Sequence, residues 1–245
     1  MSQVVLITGA ARRIGAEIAH TFHHAGFDVA LHCRHSVDDA SVLAHELNSQ
    51  REGSAHVFSA ALDDIGAVRN LATKVMNWQG RLDVLINNAS SFFPTPLEQA
   101  SEQQWNQLID SNLKGAFFLC QNLAEPLREN RGCIINIADI YARSPLAGYS
   151  IYCISKAGNA MMTKALAEEL APQVRVNGIA PGVILWPHHD EQMSEDVKQQ
   201  VIQHVPLQRI GHPRDIAGMA LFLATDASYI TGQIIAVDGG SHLSH

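Results

Sequence analysis

Tyr152-Cys153-Ile154-Ser155-Lys156 sets a phenol and an ammonium four residues apart. In a helix that spacing puts both side chains on one face. A nearby cation lowers a phenol's pKa, so the pair predicts a Tyr152 that exchanges a proton with a substrate, assisted by Lys156. The spacing alone is common by chance. It gains specificity from Thr8-Gly9-Ala10-Ala11-Arg12-Arg13-Ile14-Gly15 near the N-terminus, from Asn87-Asn88-Ala89, and from Asn112. The first of these joins an apolar run to a helical pattern. Its small residues let a backbone approach closely, and a helix N-terminus offers free N–H groups to a pyrophosphate. The three-glycine dinucleotide fingerprint is incomplete, because Arg13 stands in the middle glycine's place. An ordinary strand-to-helix turn is the plain alternative.

A second apolar run closes on His32-Cys33-Arg34-His35-Ser36. An NAD site wants an acid here for the ribose hydroxyls, and an NADP site wants a cation for the 2′-phosphate. No acid ends the run, while Arg34, His35 and Ser36 supply donors. The expected cofactor is NADPH. Arg34 as an ordinary surface arginine is the alternative.

The elements that must carry these residues alternate regularly. Strands are expected at 4–7, 27–32, 56–62, 82–86, 133–137, 174–179 and 234–237. Helices are expected at 14–26, 36–48, 65–78, 105–125, 152–170 and 213–225, with Ile18, Ala19 and Phe22 on the inner face of the first. The strands are near-continuous apolar runs, as in sheets covered on both faces. The expected fold is α/β: a Rossmann-like, doubly wound parallel sheet of about seven strands with helices on both faces. No linker or repeat interrupts residues 1–245, so one domain is expected. Residues 183–205 are the least patterned stretch and are expected to form a substrate loop over the strand ends, with a helix within 193–203 near the site.

Composition narrows the function classes. Against 17 basic side chains stand 24 acidic ones, a net charge of −7, which argues against a general nucleic-acid binder. No run approaches the ~20 apolar residues of a spanning helix, and the N-terminus lacks a signal peptide's pattern, so neither a membrane nor export is expected. Cys33, Cys120, Cys133 and Cys153 form no C-x-x-C pair and sit in apolar surroundings, as free thiols of a cytoplasmic protein would. His20, His23 and His24, and His188-His189 before Asp190-Glu191, lack the H-E-x-x-H pattern. Solvated histidine is the expected reading there, and no metal.

From Thr8-Gly9 to Val237-Asp238-Gly239-Gly240 the chain resembles the short-chain dehydrogenase/reductase family, with Asn112-Leu113-Lys114-Gly115 and Pro181-Gly182 between. The resemblance implies hydride transfer from a nicotinamide and a homotetramer. It implies Tyr152 as proton donor, Lys156 on the nicotinamide ribose and Asn112 positioning a relay water. Thr8, Gly9, Ile14, Gly15, Asn88, Ala89, Pro181 and Gly182 would line the cofactor, and Leu62 would contribute its backbone. Many relatives carry an aspartate near the third strand's end, where this chain has Ala61; Asp63 or Asp64 are candidates to compensate.

The departures carry more information. The family's usual catalytic serine lies 13 residues before the tyrosine, and here that position is Asp139. A serine hydroxyl donates to a ketone oxygen, whereas an ionised carboxylate only accepts. Asp139 therefore suits a substrate bearing N–H groups. Together with Arg13 and Ser90-Ser91-Phe92-Phe93-Pro94-Thr95-Pro96, this looks like the pteridine reductase branch. That resemblance implies Phe92 stacking on a pterin, Ser90 bonding phosphate or pterin, and Arg13 bridging both. Asp139 and Tyr152 would serve proton transfer to a dihydropterin or dihydrofolate. Core packing for Phe92 or Phe93, and a phosphate contact alone for Arg13, are the plainer readings. A generic NADP-dependent carbonyl or 3-oxoacyl reductase and a non-catalytic dinucleotide sensor are the competing functions. The helices at 105–125 and 152–170 are apolar enough to pair across a two-fold axis.

Overall fold

The computed structural model describes residues 2–186 and 194–244. Seven parallel strands form one sheet in the order β3-β2-β1-β4-β5-β6-β7. They are β1 Val4–Ile7, β2 Asp28–Cys33, β3 Ala55–Ser59, β4 Val84–Asn87, β5 Cys133–Ile137, β6 Arg175–Pro181 and β7 Ile234–Val237. The order reverses between β1 and β4. There the crossovers leave in opposite directions and open a crevice at the carboxyl ends of the strands.

Alternation along each strand builds two cores. Val5 and Ile7 of β1 face one layer, where they meet Ile18, Ala19 and Phe22 of α1 (Arg13–His24), Leu43 and Leu47 of α2 (Val37–Gln50), and Ile216, Ala220 and Leu223 of α8 (Pro213–Thr225). Val4 and Leu6 face the other. There they meet Val68, Leu71 and Val75 of α3 (Ile65–Gln79), Leu119 and Leu123 of α5 (Gly115–Glu129), and Met162 and Leu166 of α6 (Ser150–Leu170). Both strand faces are buried, which explains why the runs read as continuously apolar rather than alternating. The fold class, the strand count and the inner face of α1 agree with the expectations from sequence.

One element differs in kind. The helix expected over 105–125 is α4 (Glu102–Ile109) followed by α5, with a π-helical turn at Asp110–Lys114 between them. Ser101 and Gln104 start α4 with a reciprocal capping box. The widened turn falls at Asn112, whose side chain is consumed by bonds outside the helix, and π-bulges commonly mark such sites. Gly115 follows because a Cβ there would lie 2.3 Å from the Leu62 carbonyl oxygen.

Other boundaries shift by a few residues. β3 ends at Ser59, so Ala61 and Leu62 lie in the connection to α3, which Asp64 caps by accepting from the N–H groups of Gly66 and Ala67. The helix expected within 193–203 is α7 (Glu195–Gln203). The pair His188-His189 lies outside the described residues. Among the described residues no three His, Cys, Asp or Glu side chains gather as a metal site, and no helix is long and apolar enough to cross a membrane. His23 is buried and hydrogen-bonded to the Ser54 hydroxyl at 2.8 Å, so it belongs to the core rather than to a solvated face. All four cysteines are free and buried. Desolvation lifts the Cys120 thiol to about 12 and the Cys133 thiol to about 11.

Candidate active site

A cleft of about 930 Å³ opens at the strand carboxyl ends. At its floor, β1 and β4 are tied across the switch point. The Thr8 hydroxyl donates to the Ile86 carbonyl and accepts from the N–H groups of Asn88 and Ala89. Asn88 Nδ2 donates to the carbonyls of Thr8 and Gly9 at 2.9 and 3.0 Å. Thr8 is 1% exposed and does not reach the cleft. Where the resemblance implies a cofactor contact, the structure gives the Thr8 hydroxyl the place of a strut that fixes where the turn leaves β1.

The turn after β1 is held tight by two glycines. Gly9 takes φ +64, and a Cβ there would press on the Ala89 backbone at 3.0 Å. A Cβ at Gly15 would lie 2.1 Å from the Gly9 carbonyl oxygen. These two glycines let the turn pack closely on Ala89 and on itself, and so form a backbone cradle ahead of the N-terminus of α1, whose first N–H groups lack partners within the helix. Gly9, Arg13, Ile14 and Gly15 line it. Arg34, His35, Ser36, Leu62, Asn88, Ala89, Ser90, Pro181 and Gly182 line the same cleft, as the sequence predicts. Arg34 is half-exposed and pairs with Asp63 at 2.9 Å. Asp63 is therefore engaged by Arg34, and Asp64 by its helix cap.

Arg13 adopts φ +56, in the left-handed region. A residue with a Cβ is held there at a cost of about 1–2 kcal/mol. Its guanidinium donates to the carbonyls of Leu185 and Trp186 at 3.4 and 3.2 Å. Arg13→Gly is therefore expected to leave the denaturation midpoint unchanged or raised while weakening ligand binding. A rise of about tenfold or more in KM is expected for removal of one charge-assisted contact. A variant as active as the parent would show that the guanidinium contributes nothing.

At the other end of the cleft, Asp139 follows β5 and Tyr152 sits in the first turn of α6. The Tyr152 hydroxyl donates to Asp139 Oδ2 at 2.5 Å, and Tyr141 N–H donates to Asp139 Oδ1 at 2.9 Å. Burial raises the Asp139 carboxyl above the ordinary range, partly offset by the Lys156 charge. Lys156 is 3% exposed. Its Nζ donates to the Ile137 carbonyl at 2.9 Å, and burial brings its pKa down to about 8. Nζ lies over the Tyr152 ring, 5.7 Å from the centroid.

This geometry corrects the expected depression of the phenol pKa. Burial and the facing Asp139 carboxylate push Tyr152 well above its usual value. The ammonium is spent on a carbonyl and on the ring face, so Tyr152 keeps its proton and presents it along the bond to Asp139.

Phe92 and Phe93 divide between the two readings open to them. Phe93 packs with Leu108, Ile151 and Tyr152 in a small apolar cluster. Phe92 is 40% exposed and lines the cleft, stacked on Tyr149 (4.7 Å between centroids, 13°) and edge-on to Tyr152 (4.8 Å, 81°). Tyr149 was not legible as a site residue, although it lies one helical turn before Tyr152. Leu146, Tyr141, Trp186 and Val201 of α7 complete that wall.

Asn112 is 2% exposed and is not part of the cleft wall. Its Oδ1 accepts from Ser91 N–H (2.7 Å) and the Ser90 hydroxyl (3.2 Å), and its Nδ2 donates to the Ser91 carbonyl and the Ser155 hydroxyl. The side chain braces the Ser90–Phe92 loop against α6.

Comparisons with known proteins agree with this geometry. The model of the family described as Enoyl-(Acyl carrier protein) reductase matches residues 9–242. The 3-oxoacyl-[acyl-carrier-protein] reductase FabG of Staphylococcus aureus is 36% identical over 99% of both chains. Pteridine reductase 1 of Leishmania tarentolae is 35% identical over 98% of this chain and 96% of its own. With the seven-stranded sheet, the glycine cradle at its switch point and Tyr152 and Lys156 meeting beside it, these matches lead to one conclusion: the chain belongs to the short-chain dehydrogenase/reductase family.

Proposed function

We propose that the protein is an NADPH-dependent reductase of a dihydropterin C=N bond. The observation that carries this reading is the Asp139 carboxylate at 2.5 Å from the Tyr152 hydroxyl, inside the cleft. A serine hydroxyl at this place would donate to a carbonyl oxygen, which an ionised carboxylate cannot do. A pterin ring presents N–H groups that an acceptor such as Asp139 can hold, together with a ring nitrogen that takes a proton. The exposed ring of Phe92 supports the same choice, since flat heterocycles stack on aromatic faces.

The residues fit a dinucleotide. The Gly9–Gly15 cradle and the α1 N-terminus suit a pyrophosphate, and Arg34, His35 and Ser36 suit a 2′-phosphate, with Asp63 competing for Arg34. When bound, the cofactor supplies hydride. Lys156 would hold the nicotinamide ribose from the cleft floor. Tyr152 would give up the proton it holds, and Asp139 would orient that hydroxyl and the substrate's N–H groups. Orientation within a walled cleft contributes much of the acceleration.

A generic 3-oxoacyl reductase is the second reading, supported by the 36% identity to FabG. NADPH oxidation with dihydrobiopterin, dihydromonapterin, dihydrofolate and an acetoacetyl thioester separates the two. Turnover of at least one pterin ring is expected. Turnover of the thioester alone moves the assignment to the second reading. Binding of NADPH without turnover of any of the four revives the reading of a non-catalytic dinucleotide sensor.

Trp105, Phe117, Ile154 and Met161 are exposed apolar side chains on α4, α5 and α6. They support a homotetramer in which these helices cover one another, which light scattering would measure. The reading places the enzyme in the cytoplasm, where its four thiols stay reduced.

A further inference from the structure

His32 is the one polar residue in the otherwise apolar run Val29-Ala30-Leu31-His32-Cys33 of β2. It is 2% exposed, yet its ring reaches the cleft wall. Its Nδ1 meets the Gly9 N–H at 3.3 Å, and its Nε2 meets the Ala60 carbonyl at 3.1 Å. A carbonyl oxygen can only accept, so Nε2 carries the proton, and Nδ1 is then the lone pair that accepts from Gly9. Both contacts are made only by one tautomer of the neutral ring. Burial, which pushes the pKa down to about 4, keeps the ring neutral.

The two partners belong to the loops that follow β1 and β3, the strands on either side of β2. Gly9 opens the turn that receives the pyrophosphate, and Ala60 begins the β3–α3 connection that brings Leu62 and Asp63 to the wall. The end of β2 between them is the adenosine end of such a site. We propose that His32 is a positioning residue for cofactor binding: it spans the glycine turn and the β3–α3 connection and so sets the width of the slot for the adenosine half. This rests on the dinucleotide reading of the cleft. It gives Gly9 a role in shape alone, because its N–H is already taken by His32.

The test uses binding, without a substrate. NADPH and adenosine 2′,5′-bisphosphate are titrated against the parent protein, His32→Leu and His32→Gln. Leucine fills the space but removes both hydrogen bonds. Glutamine can accept with its oxygen and donate with its amide. The leucine variant is expected to bind both ligands about ten- to a hundredfold more weakly, the effect of leaving two buried groups unpartnered. Glutamine is expected to restore most of the affinity. Nitrogen NMR of the parent should show the Nε2–H tautomer persisting at pH 6.

Unchanged affinity in the leucine variant, or a loss for NADPH without a loss for the bisphosphate, overturns the proposal. So does an Nδ1–H or doubly protonated ring at pH 6. Should the leucine variant not fold, the glutamine variant and the NMR signal decide. Failure of the parent itself to bind NADPH rejects the dinucleotide reading, and this proposal with it. Parent binding with an indifferent leucine variant rejects this proposal alone.

Discussion

Asp139→Ser is expected to lower dihydropterin turnover by about a hundredfold or more, the scale of a lost proton-transfer partner, and to raise reduction of a simple carbonyl. Serine keeps a group able to accept from Tyr141 N–H, so the turn after β5 should survive. What is lost is the acceptor that now receives the Tyr152 hydroxyl. What is gained is a hydroxyl donor facing the same space. The pH profile gives a second readout. Burial raises the Asp139 carboxyl, so its proton is released above the ordinary carboxylate range. Below that point Asp139 is protonated and no longer the acceptor that holds the Tyr152 hydroxyl and the substrate's N–H groups. Parent turnover of a dihydropterin should therefore fall as pH falls through the raised value, and the serine variant should lack that limb. Pterin kinetics unchanged by the substitution would remove Asp139 from the reaction and with it the main support for a nitrogen heterocycle.

Tyr152→Phe is expected to cost about a hundred- to ten-thousandfold in kcat, the range for removing a general acid, with NADPH affinity retained. The phenyl ring keeps its packing against Leu108 and Ile151, so the fold should hold. Lys156 gives the companion test. Its pKa is lowered to about 8, so it is charged below that pH and neutral above it. In the proposed reaction that charge would help to hold the cofactor ribose, so parent activity should decline as pH rises through about 8. Lys156→Met should be weakly active throughout and show no such decline. A Tyr152→Phe enzyme with parental kcat would reduce Tyr152 to a packing residue of that cluster.

Much of the site was legible because the fold converts sequence positions into places by simple rules. A residue just past a parallel strand falls at the carboxyl edge of the sheet. That rule was enough to gather Gly9, Arg34, Asn88, Asp139 and Gly182 in one cleft. The helical repeat was enough to bring Tyr152 and Lys156 onto one face. Less legible were the side chains with two possible uses. Thr8 and Asn112 carry the right polar groups but spend them on the backbone of neighbouring loops. Partners so remote in the chain leave no local pattern. His32 was passed over because a polar residue inside an apolar strand gives no hint of which two loops it will meet.

What the residues determined unaided was the doubly wound parallel sheet and the inventory of reactive groups. These follow from continuous apolar runs, from helical periodicity and from glycines where a Cβ would collide. What only the packed chain decided was the protonation chemistry. A phenol beside a lysine would ordinarily ionise more easily. Here Lys156 is drawn to the Ile137 carbonyl, while Asp139 faces the hydroxyl in a buried pocket, so Tyr152 holds its proton more firmly instead. The sign of that shift depends on which charge is nearer and on how much water remains. Distance and burial exist only once β5 and α6 have been brought together.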